Sequence, residues 1–414
     1  MAVFADFEIG VGPTLAARFQ ERIGAWGLFA LLSAFTLTTL DGGDIAPGIV
    51  SAILLLGAAV YFSMPPGLAK FKFRVPAACL LGMTAWGILQ TEFFPQKIFV
   101  NGWAGVLFWF TAAVIALAGA SVFQHAEAAE QFRRALIYFA SFISLLDLLQ
   151  QTSHTNSYYW LIPSRNSVVF GTFAYWNNFA EFIELTLPIT LWQGLARSRP
   201  SPLYLVLSAL QICAVVASGS RAGSVLVLAE LLAVVILAYL RSRNRNFLVG
   251  AAGAVALAML FVYAAGFSTV IGKLQESDQL AVRRNINQSS LAMIRARPIT
   301  GWGLDTYVPV YRMFALYDDG TYVNRAHNDW LQFAAEGGLP FAALLAAIFV
   351  WSVLPAVRSG WGIGVIAVGL HAFVDYPFAR FGVCGWYFAL VSILSCQQSC
   401  MPVERDALDR ESIY

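Results

Sequence analysis

The chain has 414 residues, of which 58% are hydrophobic and 12% charged, with a formal net charge of +2. A soluble domain carries about 25% charged residues, so the composition excludes a soluble globule and points to an integral membrane protein. The small net charge, scattered among loops, excludes a nucleic-acid binder, and apolar runs of helical length exclude a β-barrel, whose strands are about half as long.

The first residues, Met1 to Glu8, are acidic and lack the basic leader of a cleavable signal, so the first span is expected to be its own insertion signal. Residues 13 to 22 read as a short amphipathic helix on the membrane surface, with Pro13 in its first turn. Apolar runs place spans near residues 23–40, 47–64, 76–91, 102–122, 134–150, 173–195, 202–217, 223–240, 247–268, 338–355, 361–374 and 381–398. The expectation is an all-α, polytopic transmembrane bundle of about twelve spans. No repeat divides it, so residues 1–414 form a single membrane domain, with 269–336 as a long helical loop subdomain between spans nine and ten.

Alternate connections hold Lys70/Lys72/Arg74, Arg133/Arg134, Arg197/Arg199, Arg241/Arg243/Arg245 and Arg358, and the positive-inside rule assigns them, with both termini, to the cytoplasm. The outer face then receives Asp41 to Asp44, residues 92–101 and 151–172, the turn from Ser218 to Gly223, the long loop and residues 375–380. The long loop breaks the trend with Arg283, Arg284, Arg295, Arg297, Arg312 and Arg325, beside His327. Guanidinium groups grip phosphate oxygens through paired, charge-assisted hydrogen bonds, so an anionic ligand is one reason for the exception. The loop also balances seven basic against seven acidic residues, and ordinary surface ion pairs account for it equally well.

Arg221 follows Ser218-Gly219-Ser220 in a tight turn, where exposed amides at the next helix start would join the guanidinium in an anion site. An arginine snorkelling to headgroups is the plain alternative. His327 is one of four histidines, with His125, His154 and His371, and the one with arginines beside it in the loop. Imidazole accepts a proton near neutral pH, although a solvated loop histidine would look the same. Glu181 and Glu184 share a helical face by their three-residue spacing, and His371 and Asp375 are spaced to share a hydrogen bond inside the bundle.

The five cysteines fall in or beside spans and show neither disulfide nor zinc spacing; Cys396 and Cys400, one turn apart, read as membrane packing. The sequence has no Walker loop, His-Glu-x-x-His or Gly-x-Ser-x-Gly, and Gly301-Trp302-Gly303 reads as a turn. Neither a metal nor a cofactor is therefore expected; Asp41/Asp44 and Asp318/Asp319 are weak metal candidates that read more readily as polar turns.

Five segments occur together in order: Gly171-Thr172-Phe173 with Asn177-Asn178-Phe179-Ala180; Ser220-Arg221-Ala222-Gly223; Arg283 ahead of Met293-Ile294 and Pro298 to Gly303; His327 to Gln332 with Glu336-Gly337-Gly338; and His371 to Pro377 with Asp375. Over roughly residues 165–380 the chain resembles the bacterial O-antigen ligase and polymerase superfamily of membrane glycosyltransferases. The resemblance implies an inner-membrane protein with its site in the periplasm, a glycan donor on undecaprenyl pyrophosphate, and a sugar hydroxyl of lipid A core as acceptor. It implies His327 in the transfer step and Arg221 on the pyrophosphate, with either Arg283 or Arg284 as second arginine. Arg165, Asn177, Asn178, Arg297, Arg325, Asn328 and Asp375 are the further substrate-binding candidates. Ligation is preferred to polymerisation because one outer loop dominates in arginine, whereas the loop at 151–172 has only Arg165. Transfer to protein is another alternative within the superfamily; a flippase would use Glu181, Glu230, His371 and Asp375 as buried ionisable groups.

Overall fold

The computed structural model describes residues 15–38, 40, 57, 75–94, 102–165, 168–195, 201–242, 246–264, 279–316 and 322–398. The expected span at 47–64 apart from residue 57, the basic loops at 70–74 and 197–199, Arg243, Arg245, the acidic pairs Asp41/Asp44 and Asp318/Asp319, Cys400 and both termini lie outside them.

The protein is an all-α helical membrane protein. Its helices are α1 Leu15–Leu37, α2 Val75–Phe93, α3 Gly102–Val122, α4 Ala126–Thr152, α5 Trp176–Leu195, α6 Pro202–Ser218, α7 Arg221–Ser242, α8 Asn246–Ala264, α9 Gln279–Ala296, α10 Tyr307–Phe314, α11 Asp329–Ser359, α12 Ile363–His371 and α13 Phe381–Gln398. A two-residue hairpin, β1 Ser157–Tyr158 with β2 Ile162–Pro163, interrupts them. Among the described residues three helices are long and apolar enough to cross a membrane by length and composition: Gly102–Val122, Arg221–Arg241 and Asp329–Ser359.

Two expectations change. The surface helix at 13–22 is not separate, because residues from Leu15 continue without a break into the first span. The span at 361–374 is realised as α12, nine residues long. At 1.5 Å per residue such a helix covers less than half of a hydrocarbon core of about 30 Å, and it is buried against α5, α7 and α11.

In lipid, helices associate through close packing and interhelical hydrogen bonds rather than by escaping water. Trp109 on α3 meets Phe333, Phe341 and Phe388 edge-on at centroid distances of 5.0, 5.2 and 6.3 Å. Exposed apolar residues form stripes where lipid would lie, as with Leu228, Leu232, Ile236 and Leu240 at four-residue spacing on α7.

One end of the bundle gathers basic residues. Arg241, ending α7, donates to the carbonyls of Val357 and Ser359 at 3.1 and 3.3 Å, at the end of α11, and lies over the Trp192 ring. Arg133 pairs with Glu130, which also accepts from Gln193 near the end of α5. The start of α11 lies at the opposite end of that helix.

Helix α11 is broken at Gly338, which has φ 75° and ψ 174°. The break frees carbonyls, and the loop from Pro298 to Gly303 latches onto them. Trp302 N donates to Ala335 O at 3.0 Å, Gly303 N to Glu336 O at 2.8 Å, and Leu339 N returns a bond to Pro298 O at 2.8 Å. Gln90 and Trp86 of α2 add bonds to Glu336 O at 3.0 Å and Gly337 O at 2.7 Å. A Cβ on Gly338 would lie 2.1 Å from Ile299 O, and one on Gly301 would lie 2.2 Å from Glu336 O. Both glycines also have positive φ, 75° and 61°. The Gly-Trp-Gly turn and the Glu-Gly-Gly segment are thus two halves of one joint. Helix α11 resumes beyond the two glycines.

Candidate functional site

The His327-to-Gln332 segment builds the site residue by residue. Asn328 is the N-cap of α11, its Oδ1 accepting from Leu331 N at 3.1 Å, which commits to backbone an oxygen expected to face substrate. Buried Asp329 accepts from Phe378 N at 2.6 Å, and its own amide donates to Ala372 O at 2.9 Å and Asp375 O at 3.2 Å. These bonds fasten the turn after α12 to the start of α11. Trp330 Nε1 donates to Gly369 O at 3.2 Å, and Gln332 Oε1 accepts from Ala326 N at 3.0 Å.

With the chain so tied, His327 adopts φ 48°, a left-handed conformation unusual for a side chain with a Cβ. Its Nδ1 lies 3.2 Å from Asp375 Oδ1. Strain of this kind persists only where surroundings impose it; here Asp329 and Gln332 do so. Tyr175 and Tyr376, whose rings stack at 5.6 Å, flank the imidazole at centroid distances of 6.2 and 5.1 Å.

Asp375 is fully buried. Its oxygens also take the amide of Asn177 and the Tyr376 N–H at 3.1 Å, and Arg283 Nη2 stands 3.5 Å from Oδ2. Burial alone would raise its carboxyl, but the bond and charge of His327, with Arg283 beside them, hold it below the usual aspartate range. The Tyr376 phenol is pushed up, by burial first and then by the Asp375 charge. Arg283 also donates to Val374 O at 2.9 Å and Tyr175 OH at 3.3 Å, whereas Arg284 is exposed.

Arg221 starts α7, where Ser220 Oγ accepts from Gly223 N at 3.0 Å, and it is exposed. Gly223 lies against Ala180, so the start of α7 adjoins the start of α5 beside Glu181. Asn178 donates to Glu181 Oε2 at 2.8 Å. The expected His371–Asp375 pairing gives way to another: His371 Nδ1 meets Glu184 Oε1 at 2.8 Å. A tight helix contact makes this possible, because Gly364 of α12 lies on Glu184 O, where a Cβ would come within 2.3 Å.

The remaining candidates are distributed more widely. Arg297 lies over the Trp302 ring at 4.0 Å, in the small apolar core that joins α9 and α10 to the latch. Arg325 acts on Asp305, an exposed residue whose carboxyl is raised by partial desolvation and partly drawn back by that guanidinium. Arg165 is exposed beyond the hairpin.

Sequence reasoning missed Tyr175, Tyr376 and Arg380, whose guanidinium lies 5.5 Å from the Tyr376 ring centroid and whose Nε is buried without a hydrogen-bond partner. Their one sequence signal is position, each within five residues of Asn177 or Asp375. Glu181, His371 and Asp375 each offer one atom within 4.8 Å of the others, a grouping of metal-ligand residue types. The arrangement as a whole holds a histidine between a buried carboxylate and two phenols, beside a guanidinium, at one end of a membrane bundle.

Residues 205–346 match the family model described as O-antigen ligase. That segment carries Arg221, Arg283, Arg284 and His327, while Asn177 and Asp375 come to His327 from either side of it. No curated protein matches the chain. Over that segment the chain is similar to the O-antigen ligase family.

Proposed function

We propose that the protein is a glycosyltransferase of the bacterial inner membrane that moves a glycan from undecaprenyl pyrophosphate to a sugar hydroxyl of lipid A core. The observation that carries this reading is the His327–Asp375 contact at 3.2 Å, with Arg283 3.5 Å from the same carboxylate. A carboxylate on one ring nitrogen fixes the tautomer and stabilises the imidazolium once the other nitrogen takes a proton.

In the proposed step the acceptor hydroxyl gives its proton to His327 as its oxygen attacks the anomeric carbon. The bond from that carbon to the pyrophosphate oxygen breaks, and the lipid pyrophosphate leaves with the electron pair. Arg221 and Arg283 stabilise the charge on the leaving group, a task for which low-dielectric surroundings make fixed cations effective. Direct displacement inverts the anomeric centre, and the step needs no metal. Of the two adjacent arginines, the contacts of Arg283 favour it over exposed Arg284.

The basic residues Arg241 and Arg358 at the far end support a cytoplasmic assignment for that end and a periplasmic one for the site. Both termini are then cytoplasmic, and residues 269–336 form a periplasmic subdomain of one membrane domain. The test is reconstitution of purified protein with undecaprenyl-pyrophosphate-linked glycan, with and without lipid A core, in a chelator. Glycan joined to lipid A core only when that acceptor is present supports the ligase. Longer lipid-linked chains formed without it would instead establish a polymerase.

A further inference from the structure

Behind Asp375 lies a second set of polar groups that the transfer step does not use. Glu181, Glu184 and His371 are each wholly enclosed, within helices α5 and α12. His371 Nδ1 is held by Glu184, with oxygens at 2.8 and 3.1 Å, and Glu181 Oε2 accepts from Asn178 at 2.8 Å. The other atom of each pair, His371 Nε2 and Glu181 Oε1, is buried without a hydrogen-bond partner. Leaving a buried polar atom unsatisfied costs about 1–3 kcal/mol, and one occupant between the two neighbouring side chains would satisfy both atoms.

Two occupants fit donors of this kind, a cation or a proton. The three nearest ligand atoms, from Glu181, His371 and Asp375, lie within 4.8 Å of one another. A cation would need Asp375, whose two oxygens already accept from His327, Tyr376 N and Asn177, with Arg283 Nη2 at 3.5 Å. A guanidinium at that distance repels a metal ion, and it stands on Oδ2, the oxygen that carries the one lone pair still open. A proton meets neither obstacle.

The surrounding charges argue the same way. Asp375, Glu184 and Asp329 act on Glu181; Glu184, Asp375 and Arg283 act on His371; and buried Glu230, from α7, adjoins Glu184. Several carboxylates cannot all ionise in such a space. Asp375 has donors on every side, whereas Glu181 has one.

We propose that Glu181 and His371 hold one proton between them through a bridging water, and that this proton keeps Asp375 charged beside His327. One ligand atom of Glu181 and one of His371 lie within 4.8 Å of each other, so their side chains come close enough for a single water to make an ordinary hydrogen bond to each. The proton rests on Glu181, which donates through the water to His371 Nε2 while His371 Nδ1–H donates to Glu184. Its transfer to His371 leaves the total charge unchanged. Glu181 is therefore a positioning residue, acting through Asp375, and its effect on turnover rests on the role proposed for His327.

The test is infrared difference spectroscopy of the full-length purified protein without substrate, in H2O and D2O, for wild type, Glu181→Gln and Glu181→Ala, with metal content measured alongside. A protonated-carboxyl band that shifts in D2O and vanishes in both variants is expected. Transfer rates over pH form the second measurement: Glu181→Ala lowers the rate by about 10-fold or more, the usual effect of losing a supporting partner, and Glu181→Gln recovers most of it and flattens the alkaline limb. A missing band, or stoichiometric metal lost with Glu181, overturns the shared proton. A normal band with an unchanged pH profile in Glu181→Gln overturns its link to Asp375. Because the band is read without turnover, it stands or falls separately from the transferase reading.

Discussion

His327 and Asp375 stand 48 positions apart in sequence, yet their side chains meet at 3.2 Å because Asp329 ties the turn after α12 to the start of α11. The contact joins a residue inside the matched family segment to one beyond its end. Proton transfer by a positioned side chain contributes about 10²–10⁴-fold to a rate. His327→Ala and Asp375→Asn should each slow single-turnover transfer by at least about 100-fold, and the double variant should be little worse than either, as for groups acting as a unit. Donor binding by His327→Ala should be retained. Turnover near wild type in either single variant would remove the pair from the mechanism.

The two adjacent arginines can be separated. Lysine keeps the charge of Arg283 but cannot reproduce its simultaneous contacts with Val374 O, Tyr175 OH and Asp375. Arg283→Lys should reduce kcat/KM for the lipid donor by about 10-fold or more, roughly 1.4 kcal/mol, while Arg284→Lys should change it little. Equal losses in both would return the choice to an open question of register.

Gly338→Ala places a methyl group 2.1 Å from Ile299 O at φ 75°. The backbone cost alone is about 1–3 kcal/mol, and the clash adds to it. Thermal unfolding in detergent should show a clear loss for this variant. Gly253→Ala, where nothing lies within 4 Å, serves as the comparison and should be neutral or slightly stabilising. Similar melting of the two would mean that the joint has more room than these distances imply.

Asp305 offers a pH test outside the spans. Partial desolvation raises its carboxyl above the ordinary range, with Arg325 opposing, and because the residue is otherwise exposed, solvent keeps the effect small. The folded state therefore binds the proton more readily than the unfolded state, so this residue's charged form destabilises at neutral pH and the penalty fades as pH falls below its raised value. Asp305→Asn, which tolerates the observed φ of 61°, should raise Tm at neutral pH, with the gain shrinking in acid. A gain independent of pH would assign the effect to something other than ionisation.

Much of this architecture was legible because apolar runs and glycines report directly on helices and their ends. The expected span at 102–122 coincides with Gly102–Val122. Arg221, Arg283 and His327 stood out because charge is costly in so apolar a chain. The pairing of His371 was not legible: its four-residue spacing to Asp375 suggested a local bond, but Gly364 brings α12 onto Glu184, a contact between helices that spacing within one helix does not encode. Nor could Tyr175 and Tyr376 be chosen from the chain's fifteen tyrosines, since their stacking depends on where two distant turns end. Asn328 looked like a binding residue because capping asparagines and ligand-facing ones have the same neighbours in sequence.

The latch at Gly338 has a consequence for how substrates come and go. Lifting the segment from Pro298 to Gly303 would break its bonds to Ala335, Glu336, Leu339 and Gln90. At about 1 kcal/mol each, that is roughly 4 kcal/mol, so only about one molecule in a thousand would be open at any moment. Under the proposed function, a donor whose lipid tail lies in the bilayer has no need of so rare an opening. The joint therefore acts as a fixed connection between the segment from Pro298 to Gly303 and the break in α11, rather than as a hinge.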